Sequence, residues 1–253
     1  DRYKAFPYQD KAVVLGNKTL FGFDANCNEL FLHNVTYSNP QIAISGKYIL
    51  VYDFRGTDLM IIEDGNIIRN TKTQDPIITA TINKNGHFAV ACDHIGFKGL
   101  VTVYDKNEKE FYKWYSVENY IIGLELSKDG RKMAVSTLKT EGGQARGGLL
   151  FFDLSKQNPE SEFLSNEGVY LLIRYIDDGL FYAVGDKDTA VFDKYHMLKW
   201  QIDYDNKTLK QKSLSDTGML VLGFDDKNKG TSIEVYNKNN EMTANIKNDG
   251  KIN

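Results

Sequence analysis

Ile78-Thr79-Ala80-Thr81-Ile82-Asn83-Lys84-Asn85-Gly86-His87-Phe88-Ala89-Val90-Ala91 reads as two strands joined by a tight turn. Both flanks are short apolar or alternating runs, and Asn-Gly is a strong hairpin signal because such turns need residues that tolerate positive φ. Ten residues on, Val101-Thr102-Val103-Tyr104-Asp105 adds a third strand that ends in an aromatic and an acid, and Glu110 to Tyr115 adds a fourth. The whole unit then repeats. Its third strand recurs with the terminal Asp or Asn at Asp24, Asp64, Asp105, Asp153, Asp193 and Asn237, in steps of 40 to 48 residues. A turn glycine recurs in phase at Gly46, Gly86, Gly130, Gly179 and Gly218, with Asp10 in the slot of the first repeat.

A period of about forty residues, four strands each, predicts an all-β fold: a β-propeller of four-stranded antiparallel blades. Six blades are expected within a single domain over 1–253, at roughly 3–36, 41–72, 77–117, 121–167, 170–210 and 211–247. Only Glu160 to Gly168 could turn helically. The recurring Asp is expected to begin an Asx-type turn between the third and fourth strands, its carboxylate accepting backbone N–H bonds two residues on.

Composition excludes several classes of function. The chain is 42% hydrophobic and 26% charged, with 31 basic against 34 acidic residues and a formal charge of −3. That balance leaves no basic surplus for nucleic acid or anionic lipid. No apolar run approaches the roughly 18 residues of a membrane helix. Cys27 and Cys92 form no C-x-x-C unit, and a bridge between them stays open. His33, His87, His94 and His196 are isolated, so no metal or cofactor set is expected. Gly142-Gly143 and Gly147-Gly148 lack the Lys-Ser/Thr of a phosphate loop, and no nucleophile elbow occurs. Paired acids at Asp177-Asp178, Asp186/Asp188, Asp203/Asp205 and Asp225-Asp226 sit in predicted turns, where β proteins carry them anyway. Calcium at Asp203-Tyr204-Asp205-Asn206 would need more oxygens than the segment supplies.

Two sets of residues remain as candidate sites. Counting five residues back from each turn position gives Ala5, Gln41, Thr81, Glu125, Arg174 and Ser213, while four back gives Phe6, Ile42, Ile82, Leu126, Tyr175 and Leu214. Successive strand residues face opposite sides. The polar members Gln41, Thr81, Glu125, Arg174 and Ser213 are therefore expected to ring the axis, with Glu125 and Arg174 able to pair, and to bind a small polar ligand or ordered water. The second set lies between second and third strands, where insertions accumulate on one expected rim: Asp93 to Gly99, Leu138 to Gly148 and Asp225 to Thr231. There the candidates are Asp93, His94, Lys139, Glu141, Gln144, Arg146, Asp225, Asp226 and Lys227.

Tyr104-Asp105-Lys106 to Trp114 and Phe192-Asp193-Lys194 to Trp200 resemble the blade ending of quinoprotein-like and WD-type propellers; the Thr-Gly pair that usually precedes Trp in quinoproteins is missing, and no cofactor is implied. More closely, Ser38-Asn39-Pro40, Ser45-Gly46-Lys47-Tyr48, Val51-Tyr52-Asp53, Lys113-Trp114-Tyr115 and Leu126-Ser127-Lys128-Asp129-Gly130-Arg131-Lys132-Met133-Ala134-Val135 resemble an uncharacterised family of bacterial propellers found mainly in Firmicutes. That resemblance implies an extracytoplasmic propeller behind an N-terminal membrane anchor, in an intact ring of seven or eight blades to which Asp249-Gly250-Lys251-Ile252 would open the next. It carries no known activity. The resulting expectation is a non-enzymatic binding or scaffold module for a protein or cell-envelope glycan. The alternative is a propeller enzyme, a glycosidase or lyase using scattered carboxylates or a cofactor at the axis. An exposed aromatic patch on one rim would favour the binder, and a deep axial pocket of convergent acids the enzyme.

Overall fold

A computed structural model describes residues 3–141, 143–165, 168–176, 179–226 and 230–248. Its strands form six sheets of four, each in chain order. The first sheet holds β1 (Lys4–Tyr8), β2 (Lys11–Leu15), β3 (Thr19–Phe23) and β4 (Glu29–Asn34). The second holds β5 (Pro40–Ser45), β6 (Tyr48–Asp53), β7 (Asp58–Glu63) and β8 (Asn66–Lys72). The third holds β9 (Ile77–Ile82), β10 (Phe88–Cys92), β11 (Gly99–Tyr104) and β12 (Glu110–Ser116). The fourth holds β13 (Tyr120–Leu126), β14 (Lys132–Glu141), β15 (Gln144–Asp153) and β16 (Ser161–Leu164). The fifth holds β17 (Tyr170–Tyr175), β18 (Phe181–Gly185), β19 (Asp188–Phe192) and β20 (Leu198–Asp203). The sixth holds β21 (Thr208–Leu214), β22 (Leu220–Asp226), β23 (Gly230–Tyr236) and β24 (Met242–Asn248).

This is a six-bladed β-propeller of antiparallel blades, with no helix among the described residues. Ser161–Leu164, within the one stretch with helical leanings, is a strand paired with Gly148–Phe151. The sixth sheet begins earlier than the repeat suggests, since Thr208 already pairs with Asp225. By compactness the chain divides into two units, Asp1–Val135 with Phe152–Glu160, and Ser136–Phe151 with Ser161–Asn253; the division runs through the fourth sheet and not through a linker.

Burial explains why the second strands are continuously apolar instead of alternating. In β6 all six residues are buried. Ile49 and Val51 pack with Val13, Leu15 and Leu20 of the first sheet, whereas Tyr48, Leu50 and Tyr52 pack with Ile82, Phe88 and Val90 of the third. A strand covered on both faces has no solvated side to make polar. In the second unit, Tyr182 and Val184 pack in the same way against Leu220, Leu222 and Phe224. Buried tyrosines also pin one blade to the next blade's first turn: Tyr8 donates to the Lys47 carbonyl at 2.8 Å and Tyr182 to that of Gly218 at 3.2 Å. The outermost strands β4, β8, β20 and β24 are mostly exposed.

The Asx turns form as the sequence predicts. Asp24 Oδ1 accepts from the Asn26 and Asn28 amides, Asp105 Oδ1 from Asn107 and Lys109, Asp193 Oδ1 from Tyr195 and Met197, and Asn237 Oδ1 from Asn239 and Glu241. The third residue after each of these four, Cys27, Glu108, His196 or Asn240, has positive φ. The second blade departs from the pattern: Asp64 and Gly65, both at positive φ, make a two-residue turn between Glu63 and Asn66. Cys27 is exposed and Cys92 buried, and both are free thiols. Burial pushes the Cys92 thiol up to about 11.

One buried acid stands out in the fifth sheet. Asp188, 5% exposed, accepts from the Tyr170 hydroxyl at 2.9 Å and the Gln201 amide at 2.5 Å, while its Oδ1 has no partner. Burial raises its pKa; these two hydrogen bonds act against that, and Asp203 and Asp186 add to it. An acid held more tightly protonated when folded stabilises the fold below its unfolded pKa of about 3.9, and that contribution is lost as pH rises through the folded value. Asp188→Asn, which cannot ionise, should therefore melt above the native protein at pH 8, with the gap narrowing steadily toward pH 4. Parallel melting-temperature curves for the two proteins over that range would refute the assignment.

Candidate binding rim

The segment joining β10 to β11 carries an exposed apolar feature of the first unit. It is anchored at both ends, by Asp93 N–H to the Pro76 carbonyl and Lys98 N–H to that of Ser116, each bond under 3 Å. Between them the chain turns sharply, with Phe97 N–H on the His94 carbonyl and Gly96 at φ +89°. This turn presents Ile95 at 94% exposure. Beside it, Phe97 lies 4.8 Å from the Tyr115 ring, and both contact His94, whose Nδ1 is held 2.6 Å from Asp75 Oδ2. Val117 and Tyr120 are also exposed, and Lys98 donates to the Tyr120 hydroxyl at 2.7 Å. The result is a rigidly held aromatic tip with an aliphatic apex. Sequence reasoning named Asp93 and His94 here but missed Ile95, Phe97, Tyr115, Val117 and Tyr120. Two large apolar residues in a turn flanking glycine were the available signal.

The other two insertions differ. Much of 138–148 is strand: β14 runs to Glu141 and β15 starts at Gln144, next to Gly143 at φ +81°. Gln144 and Arg146 are exposed there and Lys139 is half-buried, while the Glu141 side chain lies outside the described residues. In the sixth sheet, pairing continues to Asp226 and Gly230, Asp225 faces Lys210 at 3.9 Å, and Lys227 lies outside the described residues.

Most of the polar row keeps one face. Thr81, Arg174 and Ser213 pair with Ala89, Tyr182 and Val221. Gln41 pairs with Tyr52, which packs toward the third sheet, while Ile42 packs toward the first. Ile82 and Phe88 pack toward the second sheet, so Thr81 faces the fourth as Gln41 faces the third. Turn length differs, since Ser45 pairs with Tyr48 across two residues whereas five residues separate Ile82 from Phe88, yet the faces agree. Ala5 is the exception: Tyr8 pairs directly with Lys11, and it is Phe6 that packs toward the second sheet, which turns Ala5 to the opposite face. In the first unit the Thr81 hydroxyl donates to Glu125 at 3.2 Å. In the second, Arg174 donates to the Leu214 carbonyl at 2.9 Å and lies 3.8 Å from Asp216. Ser213 is exposed.

Two of the paired acids serve the backbone. Asp186 accepts the Val169 amide and Asp203 the Asp205 amide. Asp177 and Asp178 lie outside the described residues. Among the described residues no three His, Cys, Asp or Glu side chains converge as a metal site, and no helix is long and apolar enough to cross a membrane.

Comparison with family models matches all of residues 1–253 to a family of unknown function, DUF5711. The chain belongs to that family. Comparison with curated proteins found no match. Solved structures similar to this DUF5711 chain include the β-propeller domain of Cps50 (Swd1) from Myceliophteria thermophila, at 13% identity and a TM-score of 0.69, covering 94% of this chain and 83% of that one. The Dos1 propeller is similar at 12% identity and a TM-score of 0.63, covering 96% and 69%. At such identity the likeness shows the propeller fold, as the similarity to WD-type blades led us to expect, and nothing of activity.

Proposed function

We propose that this DUF5711 propeller is a non-enzymatic binding module that captures a protein partner through the aromatic tip at residues 93–98, and that it works outside the cytoplasmic membrane. Ile95 carries the reading. A large aliphatic side chain 94% exposed at a turn apex gains nothing for the fold, since it packs on nothing, whereas an apolar apex beside a rigid aromatic pair is what interface hot spots look like. The tip is already ordered by its backbone bonds, so a partner would lose little entropy in docking to it. The address outside the membrane rests on the sequence resemblance alone and is tested separately, by whether a fused periplasm-dependent reporter enzyme becomes active.

Ile95→Asp combined with Phe97→Ala should weaken chemical cross-linking of envelope proteins to the purified chain by about tenfold or more, from roughly 1–2 kcal/mol per anchor. The melting temperature should not move. Unchanged capture by the double variant would remove the tip from consideration, and capture lost instead on deleting residues 139–147 would move the site to the β14–β15 hairpin.

A further inference from the structure

The second unit contains a polar cavity that the binding rim does not involve. Its volume is about 480 Å³, within the range of small-molecule sites, and it lies against the sixth sheet with the β20–β21 turn at its edge. At its floor is a charged residue in the wrong kind of place. Glu234 stands in the middle of β23, 4% exposed, at the position held by Thr102 in β11 and Ala190 in β19. It accepts from Lys207 Nζ at 2.9 Å and from the Tyr236 hydroxyl at 2.8 Å.

Burying such a pair adds little stability over an apolar pair of the same size, because desolvation offsets the attraction. A charge kept in a central strand against the local pattern therefore points to a use. Lys207 is aimed by its own turn, its N–H bonded to the Tyr204 carbonyl at 2.9 Å, and its ammonium lies 4.5 Å from the centre of the Phe224 ring. An ammonium has three donors, and only one is spent on Glu234. Asp205, Asn206, Ser232 and Asn245 line the same cavity. The lining thus offers both donors and acceptors, with carboxylates that repel an anion and ammoniums that repel a cation.

We propose that this cavity is a binding site for a neutral, hydroxyl-rich ligand of the size of a mono- or disaccharide, whose hydroxyls both donate to the carboxylates and accept from Lys207 and the amides. The site is independent of the aromatic tip, so either can fail alone.

The test is saturation-transfer NMR on the full chain with glucose, N-acetylglucosamine and maltose as probes, with inorganic phosphate and spermidine as charged competitors. Transfer to ring protons of at least one sugar is expected, weakened at least tenfold by Asn245→Trp, an exposed position opposite Glu234 on the neighbouring strand, from which the indole would fill the cavity above the ion pair. Lys247→Trp provides the same obstruction from the same face of β24 if the first variant is unstable. No transfer to any of the three sugars, transfer untouched by these variants, or displacement by phosphate or spermidine would each overturn the proposal.

Discussion

Gly147→Ala is expected to destabilise the second unit by about 3 kcal/mol or more, the upper range for overpacking against something that cannot move. A Cβ at Gly147 would press into the Gly168 carbonyl oxygen and sit 2.9 Å from Val169 Cα, both backbone atoms. The strand is held there, since the Gly147 carbonyl accepts from Ser165 N–H at 2.9 Å and Gly168 N–H donates to Ser165 Oγ at 3.0 Å. Gly143→Ala is the control. Its φ of +81° costs a side chain about 1 kcal/mol, but nothing lies within 4 Å of a Cβ there. Thermal unfolding should rank native, Gly143→Ala and Gly147→Ala in descending order by a clear margin. A Gly147→Ala protein that melts within a degree or two of native would mean that β15 does not run against the 168–169 backbone.

Phe151→Ala should cost about 3–5 kcal/mol, the usual loss for a fully buried aromatic, and lower the melting point by roughly ten degrees at this chain length. Phe151 is 0% exposed. Its ring stacks on His196 at 4.2 Å and meets Phe181 and Phe192 edge-on at 5.2 and 5.3 Å. The side chain is the hub of the aromatic cluster in the second unit, so its removal opens a cavity that rigid rings cannot close. His196 would lose its stacking surface while keeping its 2.9 Å contact to the Tyr175 hydroxyl. Phe151→Leu, which keeps most of the volume, should recover more than half of the loss. An alanine variant that melts like the native protein would show that the four rings do not pack as a unit.

Much of the architecture was legible because it is written locally. Asp24, Asp105, Asp193 and Asn237 bond amides two and four residues away, and a bond that short needs no knowledge of the rest of the chain. Asn85-Gly86 marks its hairpin for the same reason, since Gly86 takes the φ of +83° that the turn demands. Aligning repeats on the turn glycine kept Gln41 and Thr81 on one face even though Gly46-Lys47 is a complete turn and Gly86 lies within a turn of five residues. It failed at Ala5, because in the first blade the positive φ falls on Gln9 and the slot given to Asp10 is one residue late. Gly143 and Gly147 look alike in the sequence, yet Gly143 takes a positive φ with open space around it while Gly147 makes a close backbone approach.

By itself, then, the sequence determined the blade count of this chain, the strand order within each blade and the chemistry of most turns. All of these rest on contacts made within one repeat. Only the tertiary structure decided which apolar residues find a neighbour. Tyr112 and Phe111 are consecutive aromatics in β12, yet Tyr112 is 8% exposed with its hydroxyl on the Gln157 carbonyl while Phe111 is 42% exposed. Ile95 reads like any core isoleucine until the fold leaves it uncovered, and Glu234 like any surface acid until the fold buries it against Lys207. Burial is a property of what lies opposite, and what lies opposite Tyr112 or Glu234 is far from it in the sequence.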